Sequence, residues 1–370
     1  MPSRSDSATP KYLQVYAALR RDIESGRWKD GEQLPSELEL VRTFGVSRIT
    51  VTRAVRDLYQ AGLVERVAGS GTFVKQRRTA AARSFGLLIP DLGETEIFEP
   101  ICQGMMASPL ARKCALLWGG AATEGSSKEA RAWSLCRQYI GRAVAGVFFA
   151  PLELTAAKDA VNARILHALD EARIPVVLLD RPVAPYPELG RHDLVGIDNR
   201  RAGYVMTEHL LNLGCRRVRF VGVANAAFTV EARAAGYREA LYARDVAATP
   251  SQRINPDDVT EVRELIETTR PDGLVCANDR TAGRLMHSLR QLRYRVPQDI
   301  RLVGIDDVEY ASLLLPPLTT LRQPTHQMGD AALSLMLERI ARRSLPPREL
   351  RLGCELIVRE SCGAALGRAN

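Results

Sequence analysis

The chain has 370 residues, 46% of them apolar and 25% charged, with a net charge of +8. Such proportions belong to a folded globular protein with room for two or three domains, and exclude a wholly disordered chain. The charge is uneven: up to Arg83 there are 15 Lys and Arg against 9 Asp and Glu, while the remaining 287 residues hold 36 against 34, the pattern of a basic nucleic-acid module joined to a near-neutral body. No run of 18 apolar residues is present, so no membrane span is expected.

The first nine residues, MPSRSDSAT, are polar; they are expected to be disordered and do not read as a signal peptide. A first helix is predicted over Tyr12 to Ser25, with Val15 or Tyr16, Leu19 and Ile23 on its buried face. Leu34 to Val55 reads as helix, tight turn, helix. Ser36 and Glu39 have capping-box spacing, Gly45 ends the first of these helices and Ser47 caps the second. On the second helix Val51, Val55 and Leu58 form a buried stripe, and Arg48, Thr52 and Arg56 form an outward row. An outward Arg in the first turn of such a helix suits the major groove, with Arg48 and the hydroxyl of Thr50 or Thr52 reaching phosphates or base edges. A solvated basic helix is the competing reading. The next residues, AGLVERVAGSGTFVKQ, predict a hairpin: Leu63 to Arg66, a turn over Ala68 to Gly71, and a return over Thr72 to Lys75. Its tip, Gly69-Ser70-Gly71, has little side chain and is flanked by Arg66 and Lys75. A hairpin directly after a basic helix-turn-helix makes a winged helix.

Residues 10–75 resemble the DNA-binding domain of the GntR family of bacterial transcription regulators, through PKYLQVYAALRRDIESGRWKDGEQLPSE, FGVSR, the pair Thr50 and Val51, GLVERV and GSGTFV. The resemblance implies that Arg48 reads DNA, that Lys11 and Tyr12 touch its backbone, and that Glu37 opens the second helix near it. The expected DNA-binding set is Lys11, Tyr12, Ser36, Glu37, Ser47, Arg48, Ile49, Thr50, Thr52, Arg53, Arg66, Gly69, Ser70 and Gly71, in a domain over residues 10–76. The chain departs from the family where Thr52 replaces a frequent Arg, where Ile49 follows Arg48, and where Ala68 and Ser70 stand near the wing tip. Arg53 lies about 100° round the helix from Thr52 and is assigned to a phosphate. The operator sequence does not transfer from relatives.

Residues 77–83, basic and small, are read as a linker. From Ser84 short apolar strands alternate with amphipathic helices. The predicted strands are 84–90, 114–119, 144–151, 174–180, 194–198, 218–222, 272–279 and 300–307. Near-continuous apolar strands separated by helices imply parallel sheets covered on both faces, and their number implies two doubly wound α/β lobes. Ligands bind such sheets beyond the carboxyl ends of the strands. Polar residues collect there: Asp91, Asp180, Asp198, Asn278-Asp279 and Asp306-Asp307. For some, such as Asp198 and Asp279, capping of the following helix is the alternative.

Residues 84–361 resemble the effector domain of LacI-type repressors, which share the fold of periplasmic sugar-binding proteins. The matching signatures include FGLLIPD, VAGVFFAP, IPVVLLDR, VGIDNRRAGYVMTEHLLNLGCRRVRFVG, EARAAGYREAL, DGLVCANDRTAGRLMHSLR, VPQDIRLVGIDD and LLPPLTTLRQP. GntR-type DNA binding joined to this domain is the arrangement of arabinose-repressor-like regulators. The resemblance implies a ligand set of Glu96, Phe98, Asp180, Arg233, Asn278, Asp306 and Gln323. Carboxylates, an amide and a guanidinium each grip neighbouring hydroxyls, and an aromatic ring covers the apolar face of a sugar. For Glu96, Glu94 is the alternative; for Phe98, a core role; for Arg233, a structural ion pair. Leu315 to Leu318 is expected to mark a crossover near the hinge, and a helix is predicted over Gln327 to Arg342.

The seven cysteines lack a CxxC pair and the five histidines lack HExxH spacing, so no metal or other cofactor is expected, and neither a Walker loop nor a GxSxG elbow is present. The expectation is a cytoplasmic, dimeric, sugar-responsive DNA-binding repressor that is not an enzyme. The alternatives are the same regulator answering to a purine or another non-sugar ligand, a sugar-binding protein without a regulatory role, and a polyol-acting enzyme.

Overall fold

Two units, residues 1–82 and 83–370, make up the computed structural model, which describes residues 10–24, 27–29, 31–61, 63–67, 70–74, 83–90, 96–119, 126–247 and 250–364. Gly69, Lys75, Asp91 and Glu94, singled out above, lie outside the described residues.

The first unit comprises α1 (Lys11–Glu24), α2 (Glu37–Phe44), α3 (Arg48–Gln60) and the antiparallel pair β1 (Val64–Val67) and β2 (Gly71–Val74). Val15, Leu19 and Ile23 of α1 pack with Leu40 of α2 and with Val51, Val55 and Leu58 of α3, and Val64 and Val74 close the core. Tyr16 is only half-buried, so the stripe of α1 runs through Val15. The capping box forms as the spacing demands: Ser36 Oγ accepts from the Glu39 amide at 3.3 Å, and the Glu39 carboxylate accepts from the Ser36 amide at 2.8 Å. Gly45 takes the left-handed conformation, φ 59°, at the C-cap of α2. The first hairpin strand starts one residue later than predicted, because the Leu63 amide donates to Leu58 O at 3.0 Å and closes the end of α3 instead of joining the ladder.

In the second unit a first lobe holds β3 (Arg83–Leu88), β4 (Cys114–Trp118), β5 (Gly146–Phe149), β6 (Val176–Leu179) and β7 (Asp193–Ile197), with α4 (Phe98–Ala107), α5 (Lys128–Gly141) and α6 (Lys158–Glu171). A second lobe holds α7 (Asn199–Asn212), β8 (Val218–Gly222), α8 (Phe228–Tyr242), β9 (Gln252–Arg253), α9 (Val259–Thr269), β10 (Gly273–Cys276), α10 (Asp279–Gln291) and β11 (Arg301–Val303). The chain then runs through β12 (Thr320–Arg322), returns to the first lobe with α11 (Thr325–Ala341) and β13 (Glu349–Leu352), and crosses again along β14 (Glu355–Ile357). Both sheets are parallel, in the orders β13-β7-β6-β5-β3-β4 and β11-β10-β8-β9. β12 and β14 pair antiparallel, and Leu315 to Leu318 leads into this crossover.

Alternate residues of each central strand enter different cores. Phe148 and Val177 face the core that includes α4 and α11, while Val147, Phe149, Val176 and Leu178 face α5 and α6. A sheet buried on both faces cannot alternate apolar with polar, which is why its strands are apolar throughout. Helix contacts in both lobes close on glycine. A Cβ at Gly203 of α7 would overlap the carbonyl oxygen of Arg233 in α8, one at Gly236 of α8 would overlap that of Arg200 in α7, and Gly104 and Gly329 play the same part between α4 and α11. The contact at Gly203 therefore fixes the backbone from which Arg233 projects.

Candidate functional site

Two constellations stand out, one in each unit. On α3, Ile49 is 82% exposed, and Arg48, Arg53 and Arg56 are also exposed. A large apolar side chain left in water at the start of a basic helix is unexplained by packing, and its methyls suit a thymine methyl in the major groove. Ser47 caps α3 and its Oγ lies 2.8 Å from Thr50 Oγ1. The Glu37 carboxylate is the organising charge. It accepts from Thr52 Oγ1 at 2.8 Å and from Arg66 Nη2 of the hairpin at 3.0 Å, and Arg48 Nε lies 3.9 Å away. The Thr52 hydroxyl is thereby committed to Glu37 in this state. Arg53 lies over the Tyr12 ring, 3.7 Å from its centroid, and Lys11 is exposed beside it in sequence. Ser70 O accepts from Gln33 Nε2 at 2.7 Å, and Gly71, at φ 123°, lies where a Cβ would overlap Gln33. One carboxylate thus sets α3 against the hairpin. Charge-assisted hydrogen bonds contribute about 1.5–3 kcal/mol each, so Glu37→Gln is expected to lower the ratio of specific to non-specific DNA affinity about tenfold. Competition binding with operator and scrambled duplexes measures it; an unchanged ratio would remove Glu37 from this role.

The second constellation lies at the carboxyl ends of the strands of both lobes. Asp180 follows β6 and is 4% exposed, with φ 67°. Its Oδ2 accepts from Arg181 Nε at 3.2 Å, and its buried Oδ1 has no partner among the described residues. Asp306 follows β11 with φ 133°, its amide donating to Leu321 O at 2.9 Å and its Oδ1 accepting from Gln323 Nε2 at 2.7 Å. Gln323 is 3% exposed and its Oε1 has no partner among the described residues. Arg233, 4% exposed, donates from Nε to Asn199 Oδ1 at 2.8 Å and from Nη1 to Ala277 O at 2.6 Å, and its Nη2 lies 3.6 Å from Asp306. Burial pushes the Asp306 carboxyl up to about 8; the Arg233 guanidinium opposes this, and nearby Asp279 and Asp180 reinforce it. Two non-glycine residues held at positive φ, both acids and both in one cleft, mark strain of about 1–3 kcal/mol each that the surrounding structure sustains.

The other expected ligands divide. Phe98 is 1% exposed and belongs to the core, with its ring centroid 5.3 Å from the Arg181 guanidinium. Glu96 is exposed and close enough to Tyr310 to help burial raise the phenol pKa. Asn278 takes the role assigned by sequence to Asp279: it caps α10, its Oδ1 accepting from the Thr281 amide at 2.8 Å. Asp279 is instead fully buried, accepting from Thr320 Oγ1 at 2.6 Å and the Val308 amide at 3.2 Å, with burial pushing its pKa up to about 6. Asp198 does cap α7. Sequence reasoning missed Glu153 and Arg181. Glu153 Oε1 lies 2.6 Å from Arg181 Nη1, and its Oε2 accepts across the cleft from the Ala227 amide at 3.2 Å. Burial works to raise the Glu153 pKa, but Arg181, the Ala227 amide, Lys128 and Arg233 together hold it low. Glu153 sits just past β5, so the strand-end rule that singled out Asp180 applied to it equally.

Residues 11–74 match the family described as bacterial regulatory proteins, gntR family, and residues 207–362 match the periplasmic binding protein-like domain. The arabinose metabolism transcriptional repressor of Geobacillus stearothermophilus is 29% identical over 370 residues, covering 96% of this chain and 98% of that protein. The transcriptional repressor PurR of Aliivibrio fischeri strain MJ11 is 27% identical over 210 residues, 54% of this chain and 61% of that protein. Among solved structures, the transcriptional regulator CelR-cellobiose complex is similar with a TM-score of 0.64 at 25% identity, covering 85% of this chain and 91% of that one. Among the described residues no helix is long and apolar enough to cross a membrane.

Proposed function

We propose that this chain, a gntR-family DNA-binding domain joined to a periplasmic-binding-protein-like domain, is a cytoplasmic, dimeric transcriptional repressor whose operator affinity is set by a sugar bound between its two lobes. One observation carries the sugar assignment: among the described residues, Asp180 Oδ1 and Gln323 Oε1 are buried acceptors without partners, on either side of a site that also holds Asp306. A buried acceptor left unpaired costs about 1–3 kcal/mol. A polyhydroxyl ligand supplies the missing donors and accepts in turn from Arg181 and Arg233. A purine ring, whose edges present several acceptors of their own, pairs less completely with two orphan acceptors.

The ligand acts by population shift. A sugar held by Asp180 from the first lobe and by Asp306, Gln323 and Arg233 at the crossover and second lobe favours the closed arrangement. Closure changes how the two copies present their α3 helices to paired half-sites. The coupling available to such a ligand is about 1–3 kcal/mol. The DNA side rests on Arg48, Ile49 and Arg53 of α3, positioned by Glu37 and Tyr12, with Lys11, Ser36, Ser47, Thr50, Arg66 and the hairpin tip around them.

The experiment is a thermal-shift screen of the full chain against pentoses, hexoses, uronic acids, disaccharides and purines, followed by operator titration with and without each hit. A true ligand at a hundred times its Kd stabilises by about 2.7 kcal/mol. A purine hit with no sugar hit would replace the ligand class, and stabilisation by a sugar without any change in operator affinity would sever the cleft from the DNA-binding unit.

A further inference from the structure

A cavity of about 740 Å3 lies between the segment that joins β6 to β7 and the first turns of α8, and the set above reaches it only through Asp180. Asn199, whose Oδ1 already holds Arg233 Nε, is also part of its wall. Two buried polar residues, Asp180 and Asn199, are therefore shared between the wall of this cavity and the cleft. Phe228 forms part of its wall, with Lys158 Nζ 4.4 Å from the ring centroid, and Asn225 and Thr229 supply polar edges. Among the described residues the lining carries five basic and five acidic side chains, and three of the arginines are already engaged: Arg200 with Glu239, Arg253 with Glu231 and Arg351 with Glu349. A balanced, mostly paired lining gives no net attraction to a phosphate or a uronate.

We infer that the ligand extends past Asp180 into this cavity, so that the effector is a neutral glycoside of at least two sugar units, one ring in the cleft and the next against Phe228. The inference rests on the sugar reading of the cleft. Ligand cavities of about 300–1,000 Å3 serve molecules larger than one sugar ring, and one ring gripped by Asp180, Asp306 and Gln323 leaves this volume unfilled. Aromatic and polar groups interleaved without net charge match the alternating apolar faces and hydroxyl edges of a sugar.

The test is calorimetry of the full chain with arabinose, ribose and glucose on one side and arabinobiose, maltose and cellobiose on the other, in wild type and in two variants. Ala235→Trp, on a half-buried lining position of α8, fills the cavity and leaves the cleft untouched. Asp180→Asn disables the cleft. At least one disaccharide is expected to bind ten or more times tighter than its constituent monosaccharide, and Ala235→Trp is expected to bring it down to the monosaccharide level without changing monosaccharide affinity. Asp180→Asn should weaken both. A monosaccharide that binds as tightly as every disaccharide, or a disaccharide indifferent to Ala235→Trp in a variant with wild-type Tm, overturns the extended site while leaving the cleft in place. If no sugar of either kind binds wild type, the sugar reading falls first and the extension with it.

Discussion

Arg233→Met is expected to destabilise the second unit by about 3–5 kcal/mol and to abolish the effector response. The guanidinium is 4% exposed and serves three elements at once: Asn199 at the start of α7, the Ala277 carbonyl at the end of β10, and Asp306 after β11. Methionine fills much of the volume but donates nothing, so Asn199 Oδ1 and Ala277 O become buried acceptors without donors and Asp306 loses its cation. Each buried acceptor left without a donor costs about 1–3 kcal/mol, so the two together account for about 3–5 kcal/mol, while Asp306, its carboxyl pushed up to about 8, adds little at neutral pH. For a unit of this size each kcal/mol lowers Tm by about 2–4 °C. Lysine does not rescue, since one ammonium cannot match a planar fork aimed at separate acceptors. Scanning calorimetry reads the stability, and operator titration with added sugar reads the response. A Tm within a degree of wild type would show that the three contacts are not what holds the lobe, and an intact response would return Arg233 to a purely structural part.

The cleft and the helix-turn-helix were legible to different depths for physical reasons. Caps are local: Ser36, Glu39 and Ser47 act within four residues, so their spacing alone announced them. The buried strands announced themselves by composition, because both faces are covered. β13 and β14 did not, since ELRL and ELI mix charge with leucine at sheet edges where one side meets water. Asn278 rather than Asp279 caps α10 because either side chain can cap a helix, and only the tertiary arrangement, with Thr320 and the Val308 amide waiting beside Asp279, decides which one turns inward. Arg233 was legible as a ligand by resemblance, but its three protein contacts come from segments far apart in the chain. Its proposed role is consequently double: it lies beside Asp306 at 3.6 Å, and the proposed ligand meets the pair.

Asp306→Asn is expected to raise thermal stability at pH 8–9 and to weaken the effector by about 10–100-fold, with loss of its pH dependence. The folded carboxyl is pushed up to about 8, first by burial, with Asp279 and Asp180 adding to it against Arg233, from an ordinary value of 3.8. A raised folded pKa means that ionising Asp306 costs the folded state more than the unfolded one. The stability it contributes is fully present below about pH 4 and is lost progressively as pH rises to about 8. Asparagine has no proton to lose, so the variant escapes that decline and its Tm exceeds that of wild type most at the alkaline end. Effector binding runs the other way. Sugar hydroxyls donate to the carboxylate and favour its ionised form, so binding below pH 8 releases a proton and affinity rises with pH, by at most about tenfold per unit, until it levels above 8. Asparagine keeps the shape but gives up the charge-assisted bonds, each contributing about 1.5–3 kcal/mol. Calorimetry from pH 6 to 9 in buffers of different ionisation enthalpy counts the released proton directly. Were the wild type to bind sugar without proton release at pH 7, or the variant to retain the slope between pH 7 and 8, Asp306 would not be the group that meets the ligand, and the buried acceptor at Asp180 would have to hold the sugar without it.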